Sequence, residues 1–192
     1  MTYAIQTDRL LLRPVAGSDV PLIVEGLSDF RVCRHLARVP YPYHRADAED
    51  FIAWSAALPP DSAVRVIALR HDPAALIGMI SYEYSAAEKD AELGYWLSLP
   101  AWGRGYGTEA ASAMVEDAFV RAGHSLLRAA YFNDNPVSGR LLRRIGFVEI
   151  GPGTSFSRAR ACEVQKTRLM LTRERWQSLF PERVVSHQFK NP

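Results

Sequence analysis

The sequence predicts an α/β (α+β) fold in a single domain, built on a mixed, mostly antiparallel twisted sheet of about six to seven strands flanked by helices. Three successive segments with strand-like alternation, 64–69, 76–84 and 91–97, predict an antiparallel meander. A strand, an amphipathic helix and an apolar strand then follow one another, and this order predicts a right-handed crossover between two parallel strands. A chain of 192 residues is long enough to bury a sizeable core.

The composition excludes several classes of protein. Hydrophobic residues make up 48% and charged residues 23%, and the formal net charge is +2 with acids and bases interleaved. Interleaved charges argue against a nucleic-acid partner and against a basic membrane patch. Cys33 and Cys162 form no CxxC pattern, so neither a disulfide framework nor a cysteine zinc site is expected. Because no secretory signal and no apolar run of about 18–20 residues is visible, we expect a cytoplasmic protein.

The first third of the chain predicts one strand, at residues 9–14, and two helices. Ser18 is expected to begin the first helix, whose buried positions are Leu22, Ile23 and Leu27. Asp47 is expected to cap the second helix, whose apolar positions are Phe51, Trp54 and Leu58. Between the helices, residues 30–44 lack a regular pattern and mix aromatic with basic side chains. This segment is either a rim that binds a substrate or a surface connection whose rings lie on the core.

The second half of the chain predicts the crossover and a closing hairpin. A broad apolar stripe predicts a helix that buries Ala111, Met114, Val115, Ala118, Phe119 and Ala122. A buried strand follows at 126–132, and Asn135 with Pro136 is typical of a helix start. That helix is expected to bury Val137, Leu141 and Ile145. Strands at 147–150 and 161–171 around a loop at 151–160 form the predicted hairpin, and Thr172 is expected to cap a last helix carrying Trp176 and Leu179. We place the domain at 1–180 and expect residues 181–192 to be a loosely held tail.

Residues 92–110, ELGYWLSLPAWGRGYGTEA, carry the most informative pattern. Strand character ends at Pro100, glycines follow at 103, 105 and 107, and then an amphipathic helix begins. Glycine lets the backbone approach a ligand closely, and the first N–H groups of a helix are unpaired at the positive end of its dipole. Such amides form an anion site suited to a phosphate or pyrophosphate. A tight structural turn is the alternative, because short glycine motifs also occur by chance.

Together with its neighbouring motifs, this turn resembles the GCN5-related N-acetyltransferase (GNAT) superfamily, in the branch of ribosomal-protein N-acetyltransferases (RimJ/RimL-like). The resemblance runs from TDRLLLRP to LMLTRERW and rests on ELGYWL, GRGYGTEA and NDNPVSGRLLRRIGF in that order. It implies direct transfer of an acetyl group from acetyl-CoA to a primary amine, without a metal. It also implies that two parallel strands splay apart and that the pantetheine arm pairs with the free strand edge.

The resemblance implies a set of cofactor-binding residues. The glycine turn would hold the pyrophosphate on backbone amides, Leu97 and Leu99 would border the strand edge, and Asn135 would touch the pantetheine arm. Arginine matches phosphate oxygens, although a solvated helix face explains Arg140 and Arg143 equally well. The full predicted set is Leu97, Leu99, Trp102, Gly103, Arg104, Gly105, Tyr106, Gly107, Thr108, Asn135, Ser138, Arg140 and Arg143.

Two positions depart from the family's pattern. Trp102 stands where glutamine or arginine is usual, and we expect this to change packing more than binding, because backbone amides make most phosphate contacts. Leu142 stands where many members carry a tyrosine that protonates the leaving thiolate. Ser138 resembles the serine that the ribosomal-protein branch uses instead. A serine is a poor acid, so its expected role is a hydrogen bond to the departing sulfur; the alternative is that it only completes the first helical turn.

Acetyl transfer needs a neutral amine. An α-amino group has a pKa of about 7.7–8.0 and a lysine-like amine about 10.4, so roughly one α-amine in ten is neutral at pH 7. A protein or peptide N-terminus therefore asks little of a base, and Glu92, acting through a water, is the candidate. The alternative for Glu92 is an ordinary edge-strand charge. Glu83 is a weaker rival, and Glu109, in a first helical turn, suits the helix dipole better than catalysis.

Three other functions stay open. The acceptor could be a polyamine, an amino sugar or an antibiotic on the same scaffold. The protein could also bind acyl-CoA without turnover, because the usual tyrosine is missing. A Rossmann dinucleotide enzyme fits poorly, since the glycine turn follows a meander instead of opening a βαβ unit. By resemblance, the closing hairpin makes a homodimer a candidate assembly.

Overall fold

The computed structural model describes residues 3–182 and has an open sheet at its centre. In chain order the strands are β1 (Ile5–Gln6), β2 (Leu10–Arg13), β3 (Ala63–Leu69), β4 (Gly78–Ser85), β5 (Asp90–Leu97), β6 (Leu126–Phe132), β7 (Val148–Ser157) and β8 (Cys162–Thr172). They lie in the sheet in the order β1-β2-β3-β4-β5-β6-β8-β7. The β5–β6 pair is parallel and the other neighbouring pairs are antiparallel. The predicted mixed sheet is confirmed, with eight strands instead of six to seven.

Helices cover both faces of this sheet. They are α1 (Val20–Gly26), α2 (Phe30–Cys33), α3 (Arg45–Ala56), α4 (Tyr106–Val120), α5 (Pro136–Arg144) and α6 (Arg173–Leu179), with 3-10 turns at Gly17–Asp19 and Leu99–Ala101. One apolar core joins the sheet to α4, α5 and α6, and a second joins it to α1, α2 and α3. Side chains alternate between the two faces of a strand, so Leu93 of β5 enters the first core and Trp96 packs against the second.

The pattern-based predictions for the crossover are confirmed. Strand β6 has the predicted bounds, and Asn135 caps α5 by accepting a hydrogen bond from the Ser138 N–H at 3.3 Å. Thr172 caps α6 in the same way, through the Arg175 N–H. Most of the predicted stripe of α4 is buried, namely Ala111, Met114, Val115, Ala118 and Phe119. These positions bury one helix face because they recur at the helical period.

The predicted loop at 151–160 is wrong. Strand β7 runs through most of it to Ser157, pairs with β8, and bulges between Glu149 and Gly151. Glycine and proline at 151–153 resemble a loop signal, but β7 lies at the sheet edge, where a proline needs no partner for its missing N–H. The closing hairpin is therefore longer than predicted, with its turn at 158–161.

Several local details of the helices also differ from the predictions. Asp47 is not the cap of α3; His44 holds that position, and the Asp47 carboxylate accepts its N–H at 2.9 Å from inside the first turn. Ser18 lies in the 3-10 turn that precedes α1. Val137 is 62% exposed and Leu142 is buried instead, because Leu142 shares a helix face with the buried Ile145 and position 137 lies about 140° away from Leu142 around the helix. The predicted tail falls mostly on residues 183–192, outside the described part, and the domain bounds stay a prediction.

Candidate active site

Strands β5 and β6 pair only at their beginnings. The parallel ladder joins Ala91 to Leu127 and Glu92 to Arg128, and the two strands then separate. On its other side β5 pairs with β4 along its whole length, from Asp90 to Leu97. The part of β5 beyond Glu92 therefore has one open edge that faces β6. An open strand edge offers backbone N–H and C=O groups to an extended ligand.

The glycine turn ends at the start of α4, next to this open edge. Gly103 and Gly105 have φ values of +72° and +79°, which only glycine adopts without strain. The first α4 amide with a helical acceptor is that of Glu109, which donates to Gly105 O at 3.1 Å. The amides of Tyr106, Gly107 and Thr108 precede it at the open N-terminal end of the helix. Their arrangement suits an anionic group such as a pyrophosphate.

An ion pair fastens the turn from behind. The Arg9 guanidinium donates to the Arg104 carbonyl at 2.9 Å and to the Glu109 carboxylate at 2.7 Å, and it lies over the Tyr106 ring. The Glu109 carboxylate also accepts the Thr7 hydroxyl at 2.6 Å. Burial alone would raise the pKa of Glu109, but these hydrogen bonds outweigh it and hold the pKa below its ordinary value. We call Thr7, Arg9 and Glu109 the clasp. These contacts are those of a structural residue, which is the role expected for Glu109 from its place in the first turn of α4.

Close packing brings α5 to the same place. A Cβ at Gly107 would lie 2.9 Å from the Leu141 side chain and 3.5 Å from that of Leu97, so α4, α5 and the end of β5 meet there. A Cβ at Gly139 would lie 2.5 Å from the Tyr131 ring, so α5 also sits directly on β6. Asn135 and Ser138, at the first turn of α5, therefore lie beside the open edge. Leu142 points into the core and is 1% exposed, which removes it from the site.

Tyr95 is a site residue that the sequence reasoning did not single out. Its hydroxyl lies 2.8 Å from Ser138 Oγ and joins β5 to α5. Burial raises the pKa of Tyr95 to about 12, and the hydrogen bond to Ser138 offsets part of that rise. The phenol is therefore neutral at physiological pH and is the better donor of the two hydroxyls. The signal available in the sequence was the alternation of β5, which places Tyr95 and Leu97 on one face.

Trp102 engages the open edge through its indole. Its Nε1–H donates to the Leu97 carbonyl at 2.7 Å. The Ser98 N–H donates toward β4, to the Ile77 carbonyl, and backbone polar groups of successive strand residues point in opposite directions. The Leu97 carbonyl therefore faces the open side, where a pantetheine amide is expected to pair. Trp102 is 43% exposed, so a large part of its side chain stays open to solvent while its N–H holds this carbonyl.

A cluster of arginines borders the site at the end of β6. Asp134 accepts hydrogen bonds from Arg34 and from Arg160, both at 2.8 Å. Arg160, aided by Arg34 and opposed by burial, holds the pKa of Asp134 below its ordinary value. Arg38 binds Glu83 of β4 at 2.6 Å, and the exposed Arg158 donates to the Arg38 carbonyl. We call Arg34, Arg38, Arg158 and Arg160 the arginine rim; Asp134 and Glu83 are its acidic partners.

Arg34 and Arg38 of the rim belong to the segment 30–44, for which two interpretations were open, and Arg158 and Arg160 lie in the turn of the closing hairpin. His35, next to Arg34, lies with its ring centroid 6.3 Å from that of Trp102, and burial lowers the pKa of this histidine. The segment thus reaches from the end of β5 to the end of β6. It borders the opening between the two strands, while Tyr43 of the same segment is buried in the second core, so both interpretations stay open.

The remaining predicted site residues lie in different places. Glu92 is the last residue of β5 that pairs with β6 and, by alternation, lies on the opposite face from Tyr95. Arg104 and Arg140 are exposed, the first within the glycine turn and the second on α5. Arg143 binds Glu149 of β7 and lies 3.3 Å from the Tyr131 hydroxyl, so its guanidinium is directed away from the glycine turn.

Residues 3–182 lack two further classes of feature. No group of histidine, cysteine and acidic side chains there could hold a metal ion. Within the same residues, no helix has the length and apolar character needed to cross a membrane.

Comparison with known proteins agrees with this geometry. Residues 9–148 match the family model described as an acetyltransferase (GNAT) domain. The protein "Uncharacterized N-acetyltransferase YoaA" of Bacillus subtilis (strain 168) is 29% identical over 148 residues, which cover 77% of this chain and 84% of that protein.

Two solved structures share the fold. A Vibrio cholerae structure named "putative ribosomal-protein-serine acetyltransferase" is 22% identical, with a TM-score of 0.70 over 88% of this chain and 97% of that one. The spermidine N-acetyltransferase of the same organism, solved with CoA and spermine, is 17% identical, with a TM-score of 0.75 over 88% of this chain and 99% of that one. At these identities the likeness shows the fold alone.

Proposed function

The chain belongs to the GNAT acetyltransferase family and is an acyltransferase, and on that premise we propose that it transfers the acetyl group of acetyl-CoA to the N-terminal α-amine of a protein or peptide. Members of this family use acetyl-CoA. The glycine turn and the open edge of β5 fit this co-substrate, since one offers unpaired amides to the pyrophosphate and the other offers backbone groups to the pantetheine arm.

The arginine rim is the observation that carries the choice of acceptor. A polycation such as a polyamine needs acidic groups without cationic partners, and the two acids of the rim are both bound by arginine. Asp134 alone serves two arginines. An N-terminal amine carries one charge at most, and the peptide behind it presents carbonyl oxygens that guanidinium groups can bind. The rim therefore favours a peptide over a polyamine.

Ser138 and Glu92 divide the chemistry between the two faces of β5. The amine nitrogen forms a bond to the thioester carbon, the C–S bond breaks, and its electron pair stays on sulfur. Glu92 takes the amine proton through a water, and Ser138 donates a hydrogen bond to the departing sulfur. Glu92 and Tyr95 are three strand positions apart, about 10 Å along β5, so the groups that serve the amine and the sulfur do not touch each other.

An acceptor panel tests the proposal. Release of CoA thiol would be followed with acetyl-CoA and three acceptors: lysine-free peptides with a free N-terminus, the same peptides with a blocked N-terminus and one internal lysine, and spermidine. We expect turnover with the first set and little with the others. A preference for spermidine would overturn the proposed acceptor and leave the acetyltransferase assignment intact. Acetyl-CoA binding without turnover on any amine would favour the non-catalytic alternative.

Glu92→Gln provides the matched test of the relay. The substitution keeps the shape of the side chain and removes its basicity. We expect kcat to fall roughly 10²-fold or more at pH 7, within the range for loss of a general base. The loss should shrink at higher pH, where more of the α-amine is already neutral. An unchanged rate would assign Glu92 to the ordinary charged surface.

A further inference from the structure

We propose that Tyr95 is a positioning residue of the acetyl transfer, holding Ser138 so that the serine hydroxyl hydrogen points at the departing sulfur. This inference rests on the proposed function and names a residue that its mechanism has not used. Tyr95 lies on the open edge of β5, two positions before the Leu97 carbonyl, and its hydroxyl is 2.8 Å from Ser138 Oγ.

The hydrogen-bond directions follow from the chemistry of the two hydroxyls. Either hydroxyl could donate across the 2.8 Å between them; in the proposed arrangement the phenol, the stronger acid, donates and Ser138 Oγ accepts. Ser138 then keeps its own hydrogen for a second acceptor, and accepting one hydrogen bond strengthens the one it donates. The backbone of Ser138 is fixed as well, because its N–H donates to the side chain of Asn135 at 3.3 Å. Tyr95 thus holds the side chain of Ser138, and Asn135 holds its backbone.

The pair acts by donating a hydrogen bond and not by releasing a proton. Burial raises the pKa of Tyr95 to about 12. A thiol such as that of cysteine has a pKa of about 8.5, well below that of Tyr95, so the proton stays on the phenol and does not pass to the thiolate. The sulfur therefore leaves as a thiolate, stabilised by the Ser138 hydroxyl. It takes its proton from solvent, which balances the proton that Glu92 removes from the amine.

This role compensates for a departure from the family's pattern. Leu142, at the position where many members carry tyrosine, fills the core and leaves no phenol on α5 beside the sulfur. Tyr95 supplies a phenol from the facing strand instead. It acts through the serine, because its hydroxyl already lies within hydrogen-bond distance of Ser138 Oγ.

Binding of CoA tests the inference without turnover. A donor aimed at sulfur favours the thiolate, so the affinity for CoA should rise as pH increases from 7 to 9. Desulfo-CoA lacks the sulfur and serves as the reference ligand. Any protein group that titrates in this window changes both affinities alike, so the difference between the ligands isolates the sulfur. Calorimetry on the full-length protein would measure both dissociation constants.

We expect the affinity for CoA to rise more between pH 7 and 9 than the affinity for desulfo-CoA. Ser138→Ala should abolish this extra rise and Tyr95→Phe should reduce it. The affinity for desulfo-CoA should be unchanged in both variants. Turnover should fall about 10- to 150-fold in Ser138→Ala, the range for a hydrogen bond to a charged group. It should fall less in Tyr95→Phe, with KM for acetyl-CoA unchanged. The double variant should be no slower than Ser138→Ala alone, because Tyr95 acts through the serine.

Tyr82→Phe is the matched control. Tyr82 lies on the neighbouring β4 and is also buried, but its hydroxyl donates to Asp117 at 2.8 Å and not to Ser138. Tyr82→Phe should lower the free energy of unfolding without changing the difference between the affinities for CoA and desulfo-CoA. A Tyr95→Phe protein with wild-type turnover and the full extra rise would overturn the inference alone. A wild-type protein that binds neither ligand would overturn the proposed function with it.

Discussion

The two edges of β5 differ in how their backbone groups are used. Toward β4 the strand pairs at eight positions, from Asp90 to Leu97. Toward β6 it pairs at two, Ala91 and Glu92, and beyond them side chains reach across: Tyr95 to Ser138, and Trp102 to the Leu97 carbonyl. The first edge holds the sheet together, and the second keeps backbone groups with which an extended ligand could pair. Substitutions at the two edges should therefore change different quantities, stability at one and CoA affinity at the other.

The largest effect is expected at the closed edge. Met79 of β4 lies opposite Trp96 and is 3% exposed. Met79→Ala should lower the free energy of unfolding by about 2–5 kcal/mol, because it leaves a cavity in the core. Urea denaturation measures the loss. CoA affinity of the folded protein should stay close to wild type, and a parallel loss of affinity would show that the two edges are not separable.

The clasp supports both the stability of the fold and the glycine turn, so Glu109→Gln should reduce both the free energy of unfolding and the affinity for CoA. Charge-assisted hydrogen bonds are worth about 1.5–3 kcal/mol, and the substitution weakens those from Arg9 and Thr7. The pKa of Glu109 is lowered by folding, so its contribution is present above the ordinary value of 4.5 and is lost as pH falls through the folded value. The stability difference between wild type and Glu109→Gln should therefore be largest near neutral pH and shrink below pH 4.5. A constant difference across that range would contradict the charge-based account.

At the open edge, Trp102→Phe should raise the affinity for CoA. Phenylalanine keeps the ring and removes the N–H that occupies the Leu97 carbonyl. If CoA pairs with that carbonyl, the variant should bind it about 2- to 12-fold more tightly, the equivalent of one hydrogen bond. Stability should change little. Weaker binding by the variant would show that the indole helps to hold the ligand instead of competing with it.

The smallest effect is expected at the arginine rim. Asp134→Asn removes the carboxylate shared by Arg34 and Arg160, both of which stay charged. Because Asp134 is well exposed, stability should fall by less than about 1 kcal/mol. Acceptor preference should move toward peptides with an acidic second residue, measured as kcat/KM on matched acidic and neutral peptides. An unchanged preference would place the rim outside the acceptor site.

The sequence predicted the features that depend on periodicity and local capping. The bounds of β6 and the Asn135 cap follow from neighbours within one or two turns of chain, and the parallel pair follows from the order of strand, helix and strand. The features that were missed depend on contacts between distant residues. The strand through 151–157 is stabilised by pairing with β8, which overrides its glycines and proline. The Tyr95–Ser138 pair joins positions 43 residues apart, and no local pattern could specify it.

The clasp can form only late in synthesis, because its members lie far apart in the chain. The Arg9 amide and guanidinium bind Glu109, which lies 100 residues later in the chain. At about 5–20 residues per second, a ribosome needs roughly 5–20 s to add that span. Until Glu109 has been added, the glycine turn has neither the helix α4 behind it nor the hydrogen bonds of the clasp. Premature termination before Glu109 therefore yields a product whose meander is already translated but whose glycine turn lacks the clasp.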